Sequence, residues 1–167
     1  MKRTLIALGL VSLLAAAAWG GAAANFSGSW LLDKSKSQGL PRQLENVESL
    51  TWVVTQTDKT ISVESKAVAG GAERPSQTLT YNLDGSETTA ELGGQMPGKA
   101  TLKAKWMDDG KILELSAVEH RTMQGNEFTT TRSEHWELAE EGKVLKVHRK
   151  SESPRGTQES SYYFTKK

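Results

Sequence analysis

The sequence predicts an all-β fold, an antiparallel up-and-down meander of about ten strands closed into a barrel. Three observations lead there. Four turn signals, Asp84-Gly85, Asp109-Gly110, Gly125-Asn126 and Glu141-Gly142, supply the positive φ that tight hairpins need. The segments between them alternate apolar and polar residues, the period of a half-buried strand. No segment carries a sustained helical period, a linker or a second domain.

The chain opens with the features of an export signal. Lys2 and Arg3 form a charged start, Leu5 to Trp19 is apolar and uncharged, and Ala22-Ala23-Ala24 offers a small-residue cleavage site before Asn25. The run is short for a membrane span and ends in Gly and Ala rather than in basic residues. Residues 1–24 are therefore expected to be removed, leaving 25–167 as one domain, exported to the periplasm or beyond a bacterial cell.

In the remaining chain, residues 26–32 (Phe26-Ser27-Gly28-Ser29-Trp30-Leu31-Leu32) read as a first strand. A polar connector over 33–46, with Gly39 and Pro41, has room for a helical turn but not for a helical layer. Strands then follow near 47–57, 60–69, 74–83, 86–92, 99–108, 111–124, 127–140, 143–153 and 158–166.

The turns also set registers. A two-residue turn at Asp109-Gly110 places Trp106 opposite Leu113, Ala104 opposite Leu115 and Lys105 opposite Glu114. One at Gly125-Asn126 places Leu115 opposite Trp136, Ala117 opposite Glu134 and Glu119 opposite Arg132. One at Glu141-Gly142 places Trp136 opposite Val147, and a looser turn over 153–156 places Val147 opposite Phe164 and Arg149 opposite Tyr162. The expected core belt is Leu115, Trp136, Val147 and Phe164, continued by Leu50, Trp52, Val54, Ile61, Val63, Leu79, Tyr81, Ala90 and Leu92. The opposite face (Lys103, Glu114, His120, Thr131, His135) is too polar to meet lipid, which argues against a membrane-embedded barrel.

Composition excludes further classes. The chain has no cysteine, so it has no disulfide, thiolate metal site or cysteine nucleophile. Its formal charge is +1, with no basic stripe, which makes nucleic acid a poor partner. His120, His135 and His148 fall on the outward face, with His135 opposite His148 and no third ligand nearby, so no metal or other cofactor is expected. Gly70-Gly71 and Gly93-Gly94 read as loop glycines, because neither lies in a strand–loop–helix context.

Gly28-Ser29-Trp30 on the first strand resembles the Gly-x-Trp start of lipocalin-like and wider calycin barrels. Together with the signal and the meander, it resembles bacterial secreted lipocalin-like proteins. The strand count is also similar to that of the ten-stranded fatty-acid-binding proteins, although the 33–46 connector is short for that family's helix pair. The resemblance implies that Trp30 closes one barrel end, often against a basic side chain, and that the lumen holds a small hydrophobic molecule.

From the residues themselves, Trp106, Leu115, Trp136, Val147 and Phe164 are expected to line such a cavity, with Glu134, Arg149 and Tyr162 at its polar end. There an arginine fork and a phenol could hold a carboxylate or another head group, or the charges could simply form a rim ion-pair network. Glu134 beside Arg149 should be held ionised, the wrong direction for a general acid, so the chain reads as a binding protein and not an enzyme. The competing reading is a barrel filled by its four remaining tryptophans, whose surface binds a protein or envelope component.

Overall fold

The computed structural model describes residues 23–93, 96–123 and 125–167. The signal expected over 1–24 lies outside them except for Ala23 and Ala24. The eleven strands are β1 (Gly28–Leu32), β2 (Ser49–Gln56), β3 (Thr60–Ala69), β4 (Ala72–Glu73), β5 (Gln77–Asn82), β6 (Thr88–Leu92), β7 (Gly98–Met107), β8 (Ile112–Met123), β9 (Asn126–Ala139), β10 (Val144–Ser153) and β11 (Gly156–Lys166). One short helix, α1 (Arg42–Glu45), occupies the connector, which agrees with the single helical turn expected there. The strand beyond the expected ten is the two-residue β4, paired with the end of β3.

All ladders are antiparallel, in the order β4-β3-β2-β1-β11-β10-β9-β8-β7-β6, with β5 also on β3. The first and last strands pair, Trp30 opposite Lys166 and Leu32 opposite Phe164, and this curls the sheet into a barrel. One seam is not laddered. The Asp84-Gly85 turn was expected to form a hairpin, yet β5 stays on β3 while β6 pairs with β7. Asp84 accepts from the Ser86 amide at 2.8 Å, and the Leu83 amide donates to Lys59 across the other side, so the chain is turned away from its own return path. A side-chain bond from Thr88 Oγ1 to the Thr80 carbonyl at 2.6 Å spans the seam, and Asn82 Nδ2 donates to Ser86 Oγ at 2.8 Å across the turn.

The two acidic-glycine turns set the expected registers. Met107 pairs with Ile112 and Ala139 with Val144, and Gly110 and Gly142 take φ of +86° and +81°. The other two turns are each displaced. Asn126 already pairs with Met123, so the turn at Gly125 begins one residue earlier than expected and the β8–β9 partners move by two. Ser153 pairs with Gly156, so only Pro154 and Arg155 form that loop, and the β10–β11 partners also move by two. The belt expected as one row is therefore spread over three, with Leu115 in one, Trp136 and Val147 in the next, and Phe164, opposite Leu145, in the third. Leu113, Trp136, Val147 and Tyr162 lie side by side, as do Leu115, Glu134, Arg149 and Ser160. A shift of two residues conserves the face, and Leu115, Trp136, Val147 and Phe164 are all still buried.

Aromatic rings fill the end of the barrel near the 108–111 and 140–143 turns. Phe26 stacks on Trp106 at 6.2 Å and meets Trp136 edge-on at 5.8 Å. Trp52 stacks on Trp136 at 5.1 Å and packs against Phe164 at 4.3 Å. Trp30 is fully buried, donates from Nε1 to the Phe26 carbonyl at 2.8 Å, and carries the Lys166 ammonium 5.1 Å from its ring. A tryptophan on the first strand does close one end against a basic side chain.

The opposite end is crossed by the connector. Gln38 exchanges two backbone hydrogen bonds with Ser161. The Gly39 carbonyl accepts from Ser160 Oγ at 2.7 Å and from Gln158 Nε2 at 3.3 Å. Gly39 has φ of +62°, and a Cβ there would stand 2.5 Å from the Glu159 carbonyl oxygen, so only glycine fits this crossing. The strap leads directly into Pro41 and α1.

Candidate functional site: a half-filled barrel interior

Below the strap lies a cavity of about 460 Å³. Its apolar wall comes from the inward positions of β2, β3 and β5, including Leu50, Trp52, Val63 and Leu79, and Leu44 of α1 sits at its mouth. Strict alternation places these side chains inside, because each is separated from the next inward residue by one outward residue. The far wall is charged. It is built from β8, β9, β10 and β11, where Arg121, Arg132, Glu134, Arg149 and Tyr162 point inward.

Glu134 is the hub of this wall. Its Oε1 accepts from Arg149 Nε at 2.9 Å and Nη2 at 2.8 Å, and from Arg132 Nε at 3.1 Å. Its Oε2 accepts from Trp136 Nε1 at 2.8 Å. Arg149 Nη1 donates to the Tyr162 hydroxyl at 2.8 Å, and the guanidinium lies 4.5 Å from the Tyr162 ring centre. Glu119 joins Arg132 at 3.1 Å and Arg121 at 3.0 Å, and Arg121 Nη1 also donates to the Met96 carbonyl. Three guanidinium groups thus face two carboxylates, leaving one positive charge in excess.

The electrostatics follow from these contacts. Burial pushes the Glu134 carboxyl up, but Arg149 and Arg132, with the indole and guanidinium hydrogen bonds, hold it below the ordinary glutamate range. Burial works against the Arg132 charge, yet Glu134, Tyr81 and Glu119 fix that charge in place. Burial raises both Tyr81 and Tyr162, so these phenols stay protonated and available as donors.

Of the residues expected to form the site, Leu115, Trp136, Glu134, Arg149 and Tyr162 line the cavity. Trp106, Val147 and Phe164 do not appear in its lining. Trp106 packs on Phe26, Phe164 packs between Trp52 and Tyr162, and Val147 is buried beside Trp136. Glu134 and Arg149 are directly opposed, as expected, but Tyr162 meets Arg149 on a diagonal, because Arg149 faces Ser160 across the ladder. Glu119 and Arg132 likewise pair diagonally rather than directly. Sequence reasoning missed Ser65, Gln77 and Arg121, and the contribution of Pro41, Gln43 and Leu44. The available signal was a polar residue one step beyond an inward apolar one, as in Val63 to Ser65 and Leu79 to Gln77.

His135 does stand opposite His148 on the outward face. Among the described residues, no three His, Asp or Glu side chains are placed to hold a metal ion. Among the same residues, no helix is long and apolar enough to cross a membrane.

Among solved structures, the chain is similar to the zebrafish ileal bile acid-binding protein crystallised with cholic acid. The TM-score is 0.54 at 14% identity, covering 85% of this chain and 98% of that one. The two share an antiparallel β-barrel fold. No family model matches the sequence, and no curated protein matches it. The similar structure is that of a binding protein, and at this identity the likeness concerns the fold.

Proposed function

We propose that this chain is an exported, lipocalin-like binding protein that holds one small amphipathic, lipid-like molecule in its barrel. The observation that carries this reading is the asymmetric cavity, with an apolar wall on β2, β3 and β5 facing a guanidinium-rich wall with one uncompensated positive charge. Such a site suits an apolar body with an anionic or strongly polar head, since an unbalanced buried charge is costly until an anion meets it. Catalysis is disfavoured, because Glu134 is held ionised and its oxygens are already engaged by four N–H donors.

Trp52 and Trp136 both line the cavity, so their fluorescence is the natural readout. Titration with dodecanoate or an apolar dye is expected to give saturable quenching with one ligand per chain. A flat titration across fatty acids and dyes would remove this reading. It would favour a filled barrel acting through its surface, which the aromatic packing at the other end allows.

Export is a separate part of the proposal. Expressed in a bacterium from its full sequence, the protein is expected in the periplasmic fraction with Asn25 as its first residue, as read by intact mass. Retention of residues 1–24 would contradict export. Cleavage there removes the contacts of Ala24 with Gly110 and Gln56, but leaves Gln56 Oε1 on the Phe26 amide at 2.9 Å.

A further inference from the structure

We infer that Ser65 and Gln77 form a second polar subsite, so that the preferred ligand carries a hydrogen-bonding oxygen, hydroxyl or carbonyl, remote from its anionic head. This inference rests on the binding reading above. The observation behind it is a buried amide nitrogen: Gln77 Nε2 is shielded from solvent and has no hydrogen-bond partner among the described residues. Gln77 is the first inward residue of β5, followed by Leu79 and Tyr81, and all three line the cavity. Ser65 stands directly opposite Gln77 on β3 and lines the same wall.

The subsite is set apart from the Arg132 part of the charged wall. Tyr81 meets Arg132, its hydroxyl 3.5 Å from Nη2. Gln77 lies four residues earlier on the same strand, on the order of 13 Å away along its axis. Leu79 and Val63, a directly opposed apolar pair, lie between them. A carboxylate seated against Arg132 therefore leaves the Gln77 amide unmet. A buried amide N–H without an acceptor is one of the more costly features a folded chain can carry. An oxygen on the apolar body of the ligand would meet it and would use the Ser65 hydroxyl as well. A plain alkyl chain would bury the amide further.

The test compares dodecanoate with dodecanoates hydroxylated at mid-chain or at the chain end, on the wild-type protein and on Gln77→Leu. The wild type is expected to bind the better hydroxylated acid about tenfold more tightly than dodecanoate, the value of one hydrogen bond to a buried donor. Gln77→Leu should lose that preference, bind dodecanoate more tightly than the wild type does because the alkyl chain no longer covers an orphaned amide, and melt at a higher temperature without ligand. Ser65→Ala, a smaller change, should reduce the preference part-way. Equal affinity for plain and hydroxylated acids in the wild type would overturn the inference, since water would then be meeting the amide, and would leave the binding reading standing. Failure of every acid to bind would overturn both.

Discussion

Glu134→Ala is expected to destabilise the protein by about 3–5 kcal/mol, the cost of removing one partner from a buried ion pair. The Glu134 side chain is only 5% exposed and receives N–H donors from Arg132, Arg149 and Trp136. Without it, three guanidinium groups would face Glu119 alone. Urea unfolding followed by circular dichroism measures the loss. Arg149→Ala should cost far less in the Glu134→Ala background than in the wild type, because the two side chains act as one unit. Additive losses would show that the cluster is solvated and individually weak.

The same residue sets an acid limit. The folded-state pKa of Glu134 lies below the ordinary value of 4.5, so its contribution is complete above that value and is lost as pH falls through the folded pKa. Stability should thus decline below about pH 4.5 more steeply in the wild type than in Glu134→Gln. Asp33 and Asp84 are also held low, mainly by hydrogen bonds from Ser35 and Ser86, but Asp84 is exposed, Asp33 is half-buried at the surface, and both are present in both proteins. The difference between the two curves isolates Glu134, and parallel curves would remove it as the source.

Trp30→Ala is expected to cost a further-reaching 3–5 kcal/mol, or about that, as for other fully buried aromatics cut to alanine. Its indole fills the closed end, ties the Phe26 carbonyl and underlies Lys166, so its loss opens a void and frees the start of the chain together. Trp30→Phe should recover part of the stability. Trp30 lies outside the cavity lining, so the folded fraction of Trp30→Phe should bind amphiphiles as the wild type does. A loss of unfolding free energy of less than about 1 kcal/mol for Trp30→Ala would mean that the end collapses around the gap.

The fold was legible in the sequence because alternation is a two-residue property. A register wrong by two, as across Gly125 and across Pro154-Arg155, still sends Leu115, Trp136 and Phe164 inward. The closed end was legible for the same reason, together with the Gly-x-Trp start. The partners within the site were less legible. Glu134 was expected beside Arg149 and does meet it there, because the Glu141-Gly142 turn fixes that ladder. Its bonds to Arg132 and Trp136 run along one strand, between residues two apart, and no turn signal reports them. The Asp84-Gly85 turn misled because a turn sequence fixes local dihedrals, not the strand that accepts the returning chain. Ser65 and Gln77 fall inside the strands expected over 60–69 and 74–83, and were overlooked because the inward face was traced by its apolar residues until the opposing ladder placed these two beside each other.

The pairing of β1 with β11 has a kinetic consequence. Trp30 finds Lys166 only when the last residues are available, and closing a loop that spans nearly the whole domain is entropically slow. Local hairpins such as β7–β8 and β9–β10 can form early, but the aromatic end cannot seal until β11 docks on β1. Barrel closure is therefore expected to come late in folding, after the local hairpins.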